Sequence, residues 1–176
     1  MIVARSVEYS CPWLDVVAKR VLLPPPRGEE TFYSVRTGEY CAVLAVTEDG
    51  CVPLVSQFRP AVERDVLELP SGAVEPGEDP ADAMTRELLE ETGCAADEMI
   101  LLGALHTDSG RMETRQWAFF APAVRRVAAE PDTDEQLELR FVDRRELRAL
   151  VARGELRMAP HVAVLCLAVA AGHLEL

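Results

Sequence analysis

Residues 72–94 read GAVEPGEDPADAMTRELLEETGC, and they decide what kind of protein this chain is. Asp79 suits a helix N-cap and Pro80 the first helical turn, while Gly93 can adopt the left-handed conformation that ends a helix. The helix so framed carries Arg86, Glu87, Glu90 and Glu91, with Ala81, Met84 and Leu88 as its core stripe. At about 100° per residue, Glu87 and Glu91 lie almost one above the other, with Glu90 close by. Three carboxylates on one face repel one another unless a cation sits among them, and all-oxygen ligands suit hard ions such as Mg²⁺ or Mn²⁺. The bland alternative is a solvated acidic surface, the usual meaning of a charge run.

Context weighs against that alternative. Gly72, Glu78, Arg86, Glu87, Leu88, Glu90, Glu91 and Gly93 fit the pattern G-x5-E-x7-R-E-U-x-E-E-x-G-U, where U is bulky and apolar. Only the final position departs, being Cys94, small and apolar in packing terms. The stretch resembles the Nudix box, the signature of the Nudix hydrolases. The resemblance implies that Glu87 and Glu91 are metal ligands, that Glu90 shares a metal, and that the cofactor is Mg²⁺ or Mn²⁺. It implies that Glu78 and Arg86 support the loop–helix geometry, read here as an ion pair between the two. Gly72 is expected to take a backbone conformation closed to other residues, turning a main-chain carbonyl near Ser71 toward the metal.

The flanks narrow the resemblance. Gln57-Phe58-Arg59 and Glu68-Leu69-Pro70-Ser71-Gly72 are similar to elements of ADP-ribose and nucleotide-sugar pyrophosphatases. So is an N-terminal extension of roughly forty residues before the core, which in that subfamily often packs across a homodimer. The likeness spans nearly the whole chain, and the box is its specific part. One departure concerns substrate. A Pro commonly found about sixteen residues past the box is here Ser109, within His106-Thr107-Asp108-Ser109-Gly110. Gly110 keeps the turn glycine, and nucleotide sugars stay in play beside ADP-ribose.

Composition bounds the rest. The 176 residues suffice for one domain with a full core. The net charge of −12 argues against a nucleic-acid backbone as partner. Half of that charge lies in the box, where Glu75, Glu78, Asp79, Asp82, Glu87, Glu90 and Glu91 face Arg86 as the one base. An acidic protein acting on an acidic substrate needs a cation and a few placed arginines. The 5 cysteines are odd in number and scattered, which fits reduced thiols and a cytoplasmic setting rather than zinc or a disulfide framework. The apolar run 162–171 is too short to span a bilayer and reads as a buried helix, so no membrane association is expected.

The pattern along the chain predicts an α/β (α+β) fold: an α/β/α sandwich with a mixed sheet, preceded by an N-terminal β extension. Residues 13–23 and 31–37 carry β-compatible runs separated by Pro24-Pro25-Pro26-Arg27-Gly28. A division into 1–37, for dimerisation, and 38–176, the hydrolase domain, follows from this break and the resemblance. Residues 40–46 and 52–57 read as a hairpin closed around Asp49-Gly50. Strands are expected at 66–69, 99–105, 116–121 and 137–142, and helices after Asp143 and from Pro160.

The candidate substrate contacts are Arg59, Arg64, Trp13 and Gly110. Arg matches phosphate oxygens bidentately; the alternative for Arg59 is an ion pair with Glu63 or Glu68. Trp13 suits stacking on adenine, with burial in the core as its alternative. In the resembling subfamily a Glu on a loop after the core strands activates the water, which points to Glu135, then Glu138. Glu113 is a further possibility, and His106 is read as structural. The function expected is Mg²⁺-dependent hydrolysis of the diphosphate of a nucleoside diphosphate derivative. The alternatives are a nucleoside-triphosphate housecleaning hydrolase and a Nudix-fold module that binds a nucleotide without cleaving it.

Overall fold

The computed structural model describes residues 1–127 and 137–175. Strands β1 (Ile2–Ser10), β2 (Asp15–Leu22) and β3 (Glu29–Arg36) form an antiparallel meander in that order. The proline-rich break is the loop between β2 and β3. Sequence reading missed β1, because nearly all its residues are exposed and it lacks the apolar alternation that marks a half-buried strand. The β-compatible runs of the extension thus pair with one another.

Next come β4 (Tyr40–Thr47), β5 (Val52–Arg59), β6 (Arg64–Glu68) and β7 (Ser71–Ala73), then the box helix α1 (Pro80–Thr92). After it lie β8 (Cys94–Ala95), β9 (Ile100–His106), β10 (Arg115–Arg126) and β11 (Glu138–Val142), then helices α2 (Arg144–Ala152) and α3 (Ala159–Ala170). One sheet runs β7-β4-β10-β8 with β9 also on β10, and a second runs β11-β5-β6. β4 is antiparallel to β7 and parallel to β10.

The expected hairpin of residues 40–57 does not form a two-stranded ladder. The turn closes, with Thr47 N–H donating to Cys51 O at 2.8 Å. The strands then part into different sheets, because the edges of β4 are taken by β7 and β10.

β4 is buried almost throughout, and its period-2 alternation builds the sandwich. Cys41, Val43 and Ala45 pack with Ala83, Met84 and Leu88 of α1. Ala42, Leu44 and Val46 pack on the other face with Leu147 and Leu150 of α2 and Val164, Leu165 and Ala168 of α3. β10 divides likewise, Phe119 and Ala121 toward α1, Ala118 and Phe120 away from it. Helix α1 starts as its residues dictate. Asp79 Oδ1 accepts from Ala81 N–H at 2.8 Å, and Gly93 ends it at φ 64°. Truncating fully buried Leu88 to Ala costs about 2–5 kcal/mol. The helix is therefore clamped where its carboxylates leave the core.

Candidate active site

Strand β7 passes directly beneath α1. A Cβ added to Gly72 would sit 2.0 Å from Glu87 Cδ, so only glycine lets the strand pass under this carboxylate. That corrects the expected reason for the glycine. Gly72 is not among the positive-φ residues; what it supplies is space.

Arg86 is the hub of the acidic face. Its Nε and Nη2 donate to the two oxygens of Glu78, each at 3.2 Å. Its Nη1 donates to Glu87 Oε1 at 2.8 Å and Glu90 Oε2 at 3.2 Å, and Nη2 also reaches Ala73 O at 3.3 Å. One guanidinium thus ties three carboxylates to the box loop. Hydrogen bonds from Arg86, and then from the Glu75 N–H, hold the Glu78 carboxyl below its ordinary range.

Glu91 belongs to a deeper layer. It is 4% exposed and accepts the Ser71 N–H at 2.8 Å. Ser71 Oγ lies 2.8 Å from Tyr40 Oη, and burial pushes the Tyr40 phenol up to about 12. Beyond Tyr40, Arg59 clasps Glu68, with Nε to Oε1 at 2.7 Å and Nη2 to Oε2 at 2.5 Å. These bonds raise the guanidinium above its ordinary value. Glu68 is fully buried. His161 adjoins this group from α3: its Nδ1 accepts the Leu69 N–H at 3.1 Å, and burial with the nearby Arg59 charge lowers it to about 4. Nδ1 must therefore be unprotonated.

The other candidates fall out as follows. Arg64 begins β6 as the cross-strand partner of Arg59. Both line a cavity of about 340 Å³, with Val62, Val66, Arg157 and Met158. Trp13 is 82% exposed at the β1–β2 connection, so the core alternative for it fails. Gly110 sits in an exposed turn where its N–H donates to Asp108 Oδ1 at 2.9 Å. Glu138 opens β11 and is exposed; Glu135 lies outside the described residues. His106 is exposed at the end of β9. Glu113 is engaged elsewhere: it accepts from Ser34 Oγ at 2.5 Å and pairs with Lys19 Nζ at 2.6 Å. Those partners, Lys19 first, hold its carboxyl low and engage it in a contact with β2 and β3.

Sequence reasoning missed Tyr40, His161 and Arg157. Tyr40 and His161 sit in apolar runs and read as core; Arg157 precedes a helix start and carries no motif.

The donor set suits a hard divalent cation. Glu87, Glu90 and Glu91 offer only oxygen, and with Glu78 they bring four carboxylates against the single charge of Arg86. Among the described residues no three ligating side chains already converge on one point. Glu87 and Glu90 are drawn to Arg86 instead.

The sequence model of the NUDIX domain matches residues 38–165. The chain belongs to the NUDIX family. It is 32% identical over 155 residues to the ADP-ribose pyrophosphatase of Bacillus subtilis (strain 168), covering 87% of this chain and 83% of that protein. It is 56% identical over 43 residues to the ADP-sugar pyrophosphatase of Mus musculus, covering 24% and 20% of the two chains. A crystal structure of an ADP compounds hydrolase superposes with a TM-score of 0.82 over 97% of this chain and 92% of that one; at 19% identity this speaks to the fold.

Proposed function

We propose that this Nudix pyrophosphohydrolase cleaves the diphosphate of ADP-ribose, giving AMP and ribose 5-phosphate, or that of a nucleotide sugar. The observation that carries the reading is the intact carboxylate set of the box, with Glu78, Glu87 and Glu90 gathered around Arg86 and Glu91 on the Ser71 N–H, on a helix clamped over Gly72. The names of the relatives point to the same substrates.

In this reading Glu87, Glu90 and Glu91 hold Mg²⁺ or Mn²⁺, with the Ser71 carbonyl contributing. When bound, the metal neutralises phosphate charge and acidifies water. Arg86 keeps Glu87 and Glu90 in place until then, and Glu78 fixes Arg86. Arg59, with Arg64 beside it, offers donors to a substrate phosphate at the mouth of the cavity they share. Water adds to one phosphorus, the anhydride P–O bond breaks, and Glu135, or failing that Glu138, takes the water's proton. Gly110 lies in a turn that bounds the substrate.

The extension of residues 1–37 is proposed to pack across a homodimer, carrying Trp13 toward a partner's substrate. Its exposed Val3, Val7, Tyr9, Phe32 and Tyr33 support this. The described cysteines are free thiols, and no helix among the described residues is long and apolar enough to cross a membrane. A reducing cytoplasm is the setting inferred.

Product analysis with ADP-ribose and with GDP-mannose in Mg²⁺, beside Glu91→Gln, tests the reading. Metal-dependent release of AMP or GMP, lost in the variant, is expected. No product from any nucleoside diphosphate derivative would refute it.

A further inference from the structure

We infer that Arg157 is a substrate-binding residue, which completes with Arg59 and Arg64 a site for the diphosphate. The inference deepens the proposed hydrolase reading and rests on it.

Arg157 lies between α2 and α3, and its backbone is fixed on both sides. Leu156 is 2% exposed and forms a parallel bridge with Leu67 of β6. Met158 is the N-cap of α3, its carbonyl accepting the Val162 N–H at 3.0 Å. Side chains alternate along β6, so Arg64, Val66 and Glu68 share one side of the strand. These three line the cavity of about 340 Å³ together with Arg59, Arg157 and Met158. The bridge to Leu67 thus brings a residue from late in the chain to the Arg59–Arg64 pair.

The charges at this cavity do not balance. Its one carboxylate, Glu68, has both oxygens taken by Arg59. Other nearby carboxylates pair elsewhere, Glu155 with Arg153 and Glu146 with Arg140. Among the described residues, Arg64 and Arg157 enter no ion pair. Arg59 and Arg64 also face each other across β5 and β6, where like charges cost stability. Counter-charges are not scarce, since the chain carries 30 acidic side chains against 18 basic ones. A lone exposed arginine is ordinary surface. Three converging on one cavity of an acidic protein call for an anion.

The anion that fits is the diphosphate. Three guanidiniums against one carboxylate leave two positive charges in excess, one for each acidic phosphate of a diphosphate diester. The chain runs from Glu68 through Leu69 and Pro70 to Ser71, whose N–H holds Glu91, so the cavity opens beside the box. Arg157 approaches from the side opposite the acidic helix face and makes no contact with a box carboxylate. It therefore grips substrate and transition state alike, which lowers KM and leaves kcat unaltered.

Arg157→Met keeps the apolar stem and removes the charge, while Arg157→Lys keeps the charge and loses the fork. Arg148→Met, at an exposed arginine of α2, controls for the loss of one positive charge anywhere on the surface. The probe is the α,β-methylene analogue of ADP-ribose, which cannot be cleaved at the bridge, titrated calorimetrically in Mg²⁺. Arg157→Met is expected to bind it about tenfold more weakly than the wild type. Arg157→Lys should fall between the two, and Arg148→Met should match the wild type. With ADP-ribose itself, KM of Arg157→Met should rise about tenfold while kcat changes less than threefold. Undiminished binding in Arg157→Met, equal weakening in Arg148→Met, a fall in kcat at constant KM, or no binding of the analogue by the wild type would each overturn the inference. If the wild type binds the analogue but cleaves no nucleoside diphosphate derivative, the hydrolase reading fails, and the binding series still decides the role of Arg157.

Discussion

Arg59 grips Glu68 through both carboxylate oxygens, at 2.7 and 2.5 Å, with Glu68 fully buried and Arg59 about one-third exposed at 34%. The alternative ion pair anticipated for Arg59 is therefore formed, and it leaves the exposed part of the guanidinium facing the cavity. Structural and substrate roles fall to different edges of one group. Arg59→Ala leaves a buried carboxylate without its cation, which costs about 3–5 kcal/mol. Arg59→Lys keeps the charge and loses the fork, which costs less and exposes the functional role. The expected outcome for Arg59→Lys is a stability loss of about 1 kcal/mol in urea unfolding and a fall in kcat/KM of at least tenfold. Wild-type kcat/KM in a folded Arg59→Lys variant would remove Arg59 from substrate binding.

Gly72→Ala separates fold from activity. The incoming methyl meets Glu87 Cδ at 2.0 Å, an impossible contact. The obstacle is the end of a side chain, so Glu87 swings away and the backbone survives. A small loss of stability, about 1 kcal/mol, is expected with kcat/KM reduced by two orders of magnitude or more. Thermal unfolding and steady-state kinetics on the same sample check both parts. A stable and fully active variant would mean that the position of Glu87 is irrelevant to the reaction.

The legible part of this molecule was local. Asp79, Pro80 and Gly93 set the bounds of α1, because caps act through hydrogen bonds within a turn or two. The alternation of β4 showed a buried strand but not its neighbours, since pairing depends on residues far along the chain. Hence β5 was assigned to β4 although its partners are β6 and β11. The pairing of Arg86 with Glu78 was legible, being enforced by one helix and its loop. The Tyr40, Ser71, Glu68 and His161 cluster was not. It draws single residues from β4, β6, β7 and α3, each surrounded by apolar sequence, and only the closed fold brings them together.

Glu113 offers a test in which activity chemistry should stay constant. Its carboxylate binds Lys19 and Ser34, and its N–H donates to Val35 O at 2.9 Å while Val35 N–H donates to Arg111 O at 2.7 Å. The turn carrying Gly110 is thereby strapped to β3. Glu113→Gln retains the backbone ladder and loses the ion pair, which is about one-quarter exposed on both sides and so worth about 1 kcal/mol or less. The pH dependence of kcat is expected to be unchanged, while proteolytic release of the first three strands becomes faster. A kcat profile that loses its acidic limb in this variant would assign Glu113 as the base.

His161 sets the behaviour at mildly acidic pH. Its ordinary value is 6.5, and in the folded protein it is lowered to about 4 by burial and by the Arg59 charge. The unfolded chain therefore binds a proton in the window between these values where the folded chain does not. Stability attributable to His161 is complete above about pH 6.5 and is lost as pH falls toward 4. At pH 5, one unit above the folded value, the loss is about 2 kcal/mol. His161→Gln keeps an acceptor for the Leu69 N–H and cannot titrate. Arg59 stays charged throughout, and the carboxylates, Glu68 included, contribute alike to both proteins, so the difference isolates the imidazole. Urea unfolding at pH 7.5 and pH 5 should show the wild type losing about 2 kcal/mol more than the variant. Equal losses in the two proteins would mean that the imidazole is protonated as readily inside the fold as outside it, and that the Leu69 contact does not hold Nδ1 unprotonated.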